Sequence, residues 1–185
     1  PAAPTSIDLA SDSDSGSSNT DNITNAGSLS FIVSGTVSGA TVTLRSGSNV
    51  LGTAVASGTT TTVTTANLPA LGSGSYSLVA TQTLNGQTSN ESPVLVIQYD
   101  NNAPVAVSGN PFPTSAPAGQ AINIDLIHPE ETQGLSYSLV NPLAGMSINA
   151  ATGVFNWTPT TDQIGARTVS VRLTDRAGNQ RTTDY

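Results

Sequence analysis

Short runs in which apolar and polar residues alternate recur along the chain, each closed by Gly, Asn, Pro or Ser. Alternation with period two places every second side chain on one face of a strand, and the closing residues are turn formers. In the first half the runs cover residues 5–9, 28–34, 40–46, 50–56, 59–65, 75–83 and 94–99. Val42 and Leu44 share one face, as do Tyr76, Leu78 and Ala80. The second half repeats the pattern at 104–107, 121–127, 135–140, 146–149, 153–157, 167–174 and 180–185. Helical periodicity is nearly absent. Between the halves stands Tyr99-Asp100-Asn101-Asn102-Ala103-Pro104, where Pro disfavours helix in the preceding residue and Asn and Asp favour turns. The pattern predicts an all-β chain of two tandem seven-stranded Greek-key β-sandwiches, residues 1–100 and 101–185, the last strand being cut short at Tyr185. In the first, Leu71-Gly72-Ser73-Gly74-Ser75-Tyr76 has the order of a tyrosine corner, with an ordinary core Tyr as the alternative.

Composition sharpens this picture. Charged residues are 9% of the chain, far below the average of roughly 25% for soluble domains. Ser, Thr, Asn and Gly supply the polarity instead, and Thr suits an open strand face. Net charge is −7, with five Arg, all dispersed, and no Lys. Nucleic-acid binding needs clustered cations to displace counterions, so that class is excluded. There is no Cys to form a disulfide and no Lys to form an isopeptide crosslink. Thr–Gln ester crosslinks stay open chemically, but no pair is singled out. No apolar run is long enough to span a bilayer, so no membrane insertion is expected. No signal peptide is visible and Pro1 is not a translation start, so we expect an excised piece of an exported protein, extracellular at the cell surface or secreted.

Catalytic patterns are missing. His128 is the only His and precedes Pro129 in a predicted loop. There is no Gly-x-Ser-x-Gly elbow, no Gly-rich phosphate loop and no His-x-x-x-His pair. Carboxylate-only glycoside hydrolysis sets two carboxyls across a sugar in a cleft. Aromatic residues that could line one are 4% of the chain, mostly at inward strand positions. The expectation is a non-enzyme. Phe155 and Trp157 share a face and are read as core, with a sugar-stacking platform as the lesser reading.

The acidic residues carry more. Asp12, Asp14 and Asp21 lie in the loop 11–25, Asp100 lies in the linker, Glu130 and Glu131 in the loop 128–133, and Asp175 in the turn 174–179. A first strand that crosses the sandwich leaves the loop 11–25 at the end from which the chain departs. The loops 128–133 and 174–179 fall at the end where the second sandwich begins. Acids from several loops thus converge on one junction. Converging carboxylates repel unless neutralised, and Ca²⁺, which takes six to eight oxygens in flexible geometry, does this better than Mg²⁺. Asp12-x-Asp14-x-Gly16 has the alternating spacing that wraps a cation, without the last Glu of an EF-hand. The expected set is Asp12, Asp14, Asp21, Asp100, Asn102, Glu130 and Asp175 around structural Ca²⁺. Each piece also has a plain reading: a solvated Ser/Asp loop, a hairpin turn at Asp175, a wet surface at Glu130.

The second half resembles the cadherin-like domains of bacterial surface proteins. Leu135-Ser136-Tyr137-Ser138-Leu139, the stretch from Met146 through Thr152-Gly153-Val154-Phe155, Thr158-Pro159-Thr160 and Val171-Arg172-Leu173-Thr174-Asp175 carry the likeness. Asp100-Asn101-Asn102-Ala103-Pro104 is similar to the cadherin linker, whose acidic and Asn residues bind calcium. Asn101 and Gln98 stand where that linker has Asp, which implies fewer ions. The first half resembles the bacterial immunoglobulin-like repeats of large adhesins. There the likeness rests on Asp12-Ser13-Asp14-Ser15-Gly16 with Asp21-Asn22-Ile23-Thr24-Asn25, on Gly39-Ala40-Thr41-Val42-Thr43-Leu44, and on Gly74-Ser75-Tyr76-Ser77-Leu78. The resemblances imply an extender of an adhesin, biofilm protein or secreted hydrolase, partnered by neighbouring repeats of its own chain. The alternative is an accessory module that binds polysaccharide or a cell-surface protein.

Overall fold

A computed structural model describes residues 1–65, 68–128 and 134–185, leaving aside the side chains of Pro69 and Leu71. The chain divides into two units, Pro1–Asn102 and Ala103–Tyr185. No helix among the described residues is long and apolar enough to cross a membrane.

Unit 1 is a two-sheet sandwich. One sheet orders β1 (Ser6–Leu9), β3 (Leu29–Ser34) and β6 (Thr60–Thr65), all antiparallel. The other orders β2 (Ile23–Thr24), β9 (Leu95–Tyr99), β7 (Gly74–Leu84), β4 (Thr41–Ser46) and β5 (Asn49–Val55), with β8 (Gln87–Thr88) on the end of β7. The alternation read from sequence is the alternation of burial: Leu29, Phe31 and Val33 point inward from β3 and meet Val42, Leu44, Leu78 and Ile97 from the facing sheet. Burying a side chain such as Phe31 or Leu44 contributes about 1.5–3 kcal/mol each. Gly52 brings β5 close to β6, since a Cβ there would stand 2.8 Å from the Thr64 carbonyl oxygen. Tyr76 makes the expected corner, its hydroxyl donating to Gly72 O at 2.6 Å.

Unit 1 also buries one large polar side chain. Gln82, on β7, accepts from Val37 N at 2.8 Å and donates to Ala2 O at 2.8 Å and Gly35 O at 3.0 Å. A single carboxamide thus ties the start of the chain to the β3–β4 connection, with its hydrogen-bonding capacity used as burial requires.

Unit 2 sets a sheet of β10 (Ile122–Asp125), β13 (Val154–Trp157) and β12 (Ser147–Ile148) against one of β11 (Ser136–Val140), β14 (Ser170–Thr174) and β15 (Gln180–Asp184). Leu126, Tyr137, Phe155, Trp157, Val171 and Leu173 form its core. The strand expected at 104–107 does not form: that segment joins no ladder. Pro104 has no N–H to give, and side chains from distant positions hold the segment instead. His128 Nε2 lies 2.8 Å from Val105 O, Arg181 Nε donates to Pro104 O, and the Tyr185 hydroxyl donates to Val107 O at 3.4 Å. Among the described residues unit 2 therefore shows six strands rather than seven.

Candidate functional site

The loop between β1 and β2 is wired into the fold. Ser13 N and Asp14 N both donate to Ala10 O, at 2.7 and 3.0 Å, turning the chain as it leaves β1. Ser13 is buried, and its hydroxyl accepts from Ser30 N at 2.9 Å on β3. Fully buried Thr24 donates from Oγ1 to Ser13 O at 2.6 Å, closing the loop across its base. The Ser15 hydroxyl donates to Asn25 Oδ1 at 2.8 Å and accepts from Asn25 N at 2.9 Å. Asn22 takes a left-handed conformation at φ 59°, which Asn tolerates better than most residues. Side-chain bonds to backbone of this kind order a loop that lacks regular structure.

Asp14 sits at the centre of this loop and is 4% exposed. Its Oδ2 accepts from Asn22 N at 3.0 Å, while its Oδ1 is buried with no hydrogen-bond partner. Burial raises the Asp14 pKa, the Asn22 N–H lowers it, and the neighbouring charge of Asp21 raises it again. Asp21 itself accepts from Ile23 N at 3.2 Å. The two carboxyls stand close together, and Asp14 Oδ1 is buried without a hydrogen-bond partner. A buried carboxylate oxygen without a partner carries a full desolvation penalty, and a hard cation relieves both that penalty and the repulsion. Asp14 and Asp21 are the two carboxylates that this loop brings together.

The loop's position follows from β2. This two-residue strand pairs parallel to the end of β9, with Gln98 N donating to Asn22 O at 2.8 Å and Asp100 N to Thr24 O at 2.9 Å. The loop therefore lies at the end of unit 1 from which the chain leaves. Asp100 accepts there from Asn102 N at 3.0 Å and from the Ser73 hydroxyl at 3.3 Å.

The remaining expected ligands fare differently. Asp12 and Asn102 are exposed. Asp175, in unit 2, has a local role: Oδ1 accepts from Asn179 N at 2.9 Å and Oδ2 from Asn179 Nδ2 at 3.0 Å, which closes the hairpin between β14 and β15. Glu130 and Glu131 lie outside the described residues. Among the described residues no three acids or His stand close enough together to hold a metal, and within unit 1 Asp14 and Asp21 are the carboxyls that interact. Ser13 and Thr24 are essential to the loop's shape, yet nothing in the sequence singles them out. His128 is a buried clamp: Val105 O can only accept, so the imidazole carries its proton on Nε2.

Two β-sandwiches in series, the first with its opening strand split between both sheets, define the chain as a tandem of immunoglobulin-like modules. It belongs to the bacterial Ig-like family: the model described as "Bacterial Ig-like domain" matches residues 1–101, and that described as "Putative Ig domain" matches residues 103–185. No curated protein matches the chain. Among solved structures it is similar to SGBP-B of the Bacteroides ovatus mixed-linkage glucan utilization locus, in complex with a mixed-linkage heptasaccharide. Identity there is 16% and the TM-score 0.31, over 88% of this chain and 40% of that one, a likeness too weak to carry an inference.

Proposed function

We propose that this chain is a non-catalytic, extracellular extender segment of a bacterial surface or secreted protein, in which calcium on the Asp14–Asp21 loop stiffens the end of unit 1 where the chain leaves it. The reading rests on Asp14 Oδ1, a buried oxygen without a donor, beside a second carboxylate. A cation there would fix a loop that already touches β3, β2 and the end of β9, so its binding would be felt in the fold of unit 1 and at Asp100. Calcium supplies charge neutralisation only, while the residues of the chain supply the shape.

Thermal unfolding and X-ray scattering, each in calcium and in chelator, test this. Calcium should raise stability by about 2.7 kcal/mol at a hundredfold excess over Kd, and should narrow the spread of overall dimensions. Asp14→Ala should lose the stability gain. Identical melting and scattering in calcium and chelator would sink the proposal.

A further inference from the structure

Unit 2 contains a cavity of about 360 Å³ that opens onto its core. The floor is Phe112, Ile122, Phe155, Trp157, Val169 and Tyr185. Two irregular segments, residues 110–118 and 159–167, form the walls. Both are fixed in place. Phe112 N donates to Asn110 Oδ1 at 3.0 Å, and the Phe112 ring meets Phe155 edge-on at 5.1 Å. Gly119 N donates to Pro159 O at 2.8 Å, tying one wall to the other. Gln163 accepts from Thr160 N and donates to Ala144 O, both at 2.9 Å. A concave, apolar-floored and preformed site with a few polar groups on its rim is the usual form of a small-ligand site.

Charge narrows the ligand. In a chain with twelve acids and five bases, no Asp or Glu lines this cavity, and Arg167 has its one charged side chain. Arg167 donates to Ala166 O and Ile164 O, and among the described residues it has no carboxylate partner. A guanidinium so placed is suited to a carboxylate, which it can grip through two parallel N–H groups. Trp157 adds the face of its indole ring to the floor. Asn110, Thr114, Ser115 and Thr160 on the walls can exchange hydrogen bonds with hydroxyl groups. An apolar ring face, several hydroxyls and one carboxylate on a body the size of a single sugar describe a uronic acid.

We infer that this cavity of unit 2 is a binding site for a uronate residue of an acidic polysaccharide, its carboxylate held by Arg167 and its ring seated on the aromatic floor. The site is built from residues 110–185 alone and stands or falls separately from the calcium loop.

Trp157 is the only Trp, so its emission reports on this cavity directly. Galacturonic and glucuronic acid should be titrated against galactose and glucose in chelator, which removes calcium bridging, with calorimetry alongside. The uronates should bind saturably and at least about tenfold more tightly than the neutral sugars. Arg167→Gln should bring the two classes within about twofold, and Arg167→Lys should keep some of the preference, since it retains the charge and loses the fork. Ala116→Leu, which fills the cavity, should abolish both signals while the melting temperature shows the fold intact. Absence of saturable binding, an equal response to neutral sugars, indifference to Arg167→Gln, or tighter binding by apolar peptide carboxylates would each overturn the inference.

Discussion

Burial pushes the Asp14 carboxyl above its ordinary value of 3.8, and Asp21 adds to the shift against the pull of the Asn22 N–H. A carboxyl whose folded pKa exceeds its unfolded value keeps its proton more firmly in the fold. The stability it contributes is therefore complete below about pH 3.8 and is lost as the pH climbs through the raised value. In chelator, the stability of the wild-type chain relative to Asp14→Asn should fall across that window and then level off, as urea unfolding at a series of pH values would show. Calcium at neutral pH should restore the advantage to the wild type. Other single residues act through packing and hydrogen bonding. Tyr76→Phe removes the bond to Gly72 O and should lower stability by about 1 kcal/mol. Gln82→Leu strands Ala2 O, Gly35 O and Val37 N, and should cost at least about 2 kcal/mol by urea unfolding.

At the level of elements, β3 is readable because Leu29, Phe31 and Val33 fall at every second position with Ser30 and Ser34 on the other face, Ile32 being the one apolar residue there, and a strand with one buried face needs such alternation. The segment 104–107 misleads because Val105 and Val107 alternate equally well, while its hydrogen bonds come from His128, Arg181 and Tyr185, which no local pattern links to it. The loop 11–25 is legible as a carboxylate cluster. That Asp14 is its buried member and Asp12 an exposed one is not, because the difference is set by Ser13 and Thr24 bonding to β3 and to the loop's own backbone. Of the cavity of unit 2 the sequence shows little beyond Trp157. Its floor comes from Phe112, Phe155 and Tyr185, which are far apart along the chain, and the local pattern around Trp157 reads first as a core position, with a sugar-stacking platform only as the lesser reading. Gly153 offers a test of element-level packing: at φ +70°, a Cβ would lie 2.8 Å from the Tyr137 ring. Gly153→Ala should destabilise unit 2 by about 1–3 kcal/mol, read from the Trp157 emission during urea unfolding.

For the whole molecule, each unit has a core of its own, Leu29, Phe31 and Leu78 in one and Tyr137, Phe155 and Leu173 in the other. Chains cut to residues 1–102 and to 103–185 should each fold, with a cooperative urea transition and a β-type circular dichroism spectrum, as modules of about 100 residues do. A lack of cooperative unfolding in either would count against separate cores. The parallel pairing of β2 with β9 has a mechanical consequence for a module strung in series. Tension drawn through the two ends of unit 1 would slide these strands past each other along their common axis. The Gln98–Asn22 and Asp100–Thr24 bonds would then resist together instead of breaking in succession, much as a lap joint outlasts a zip.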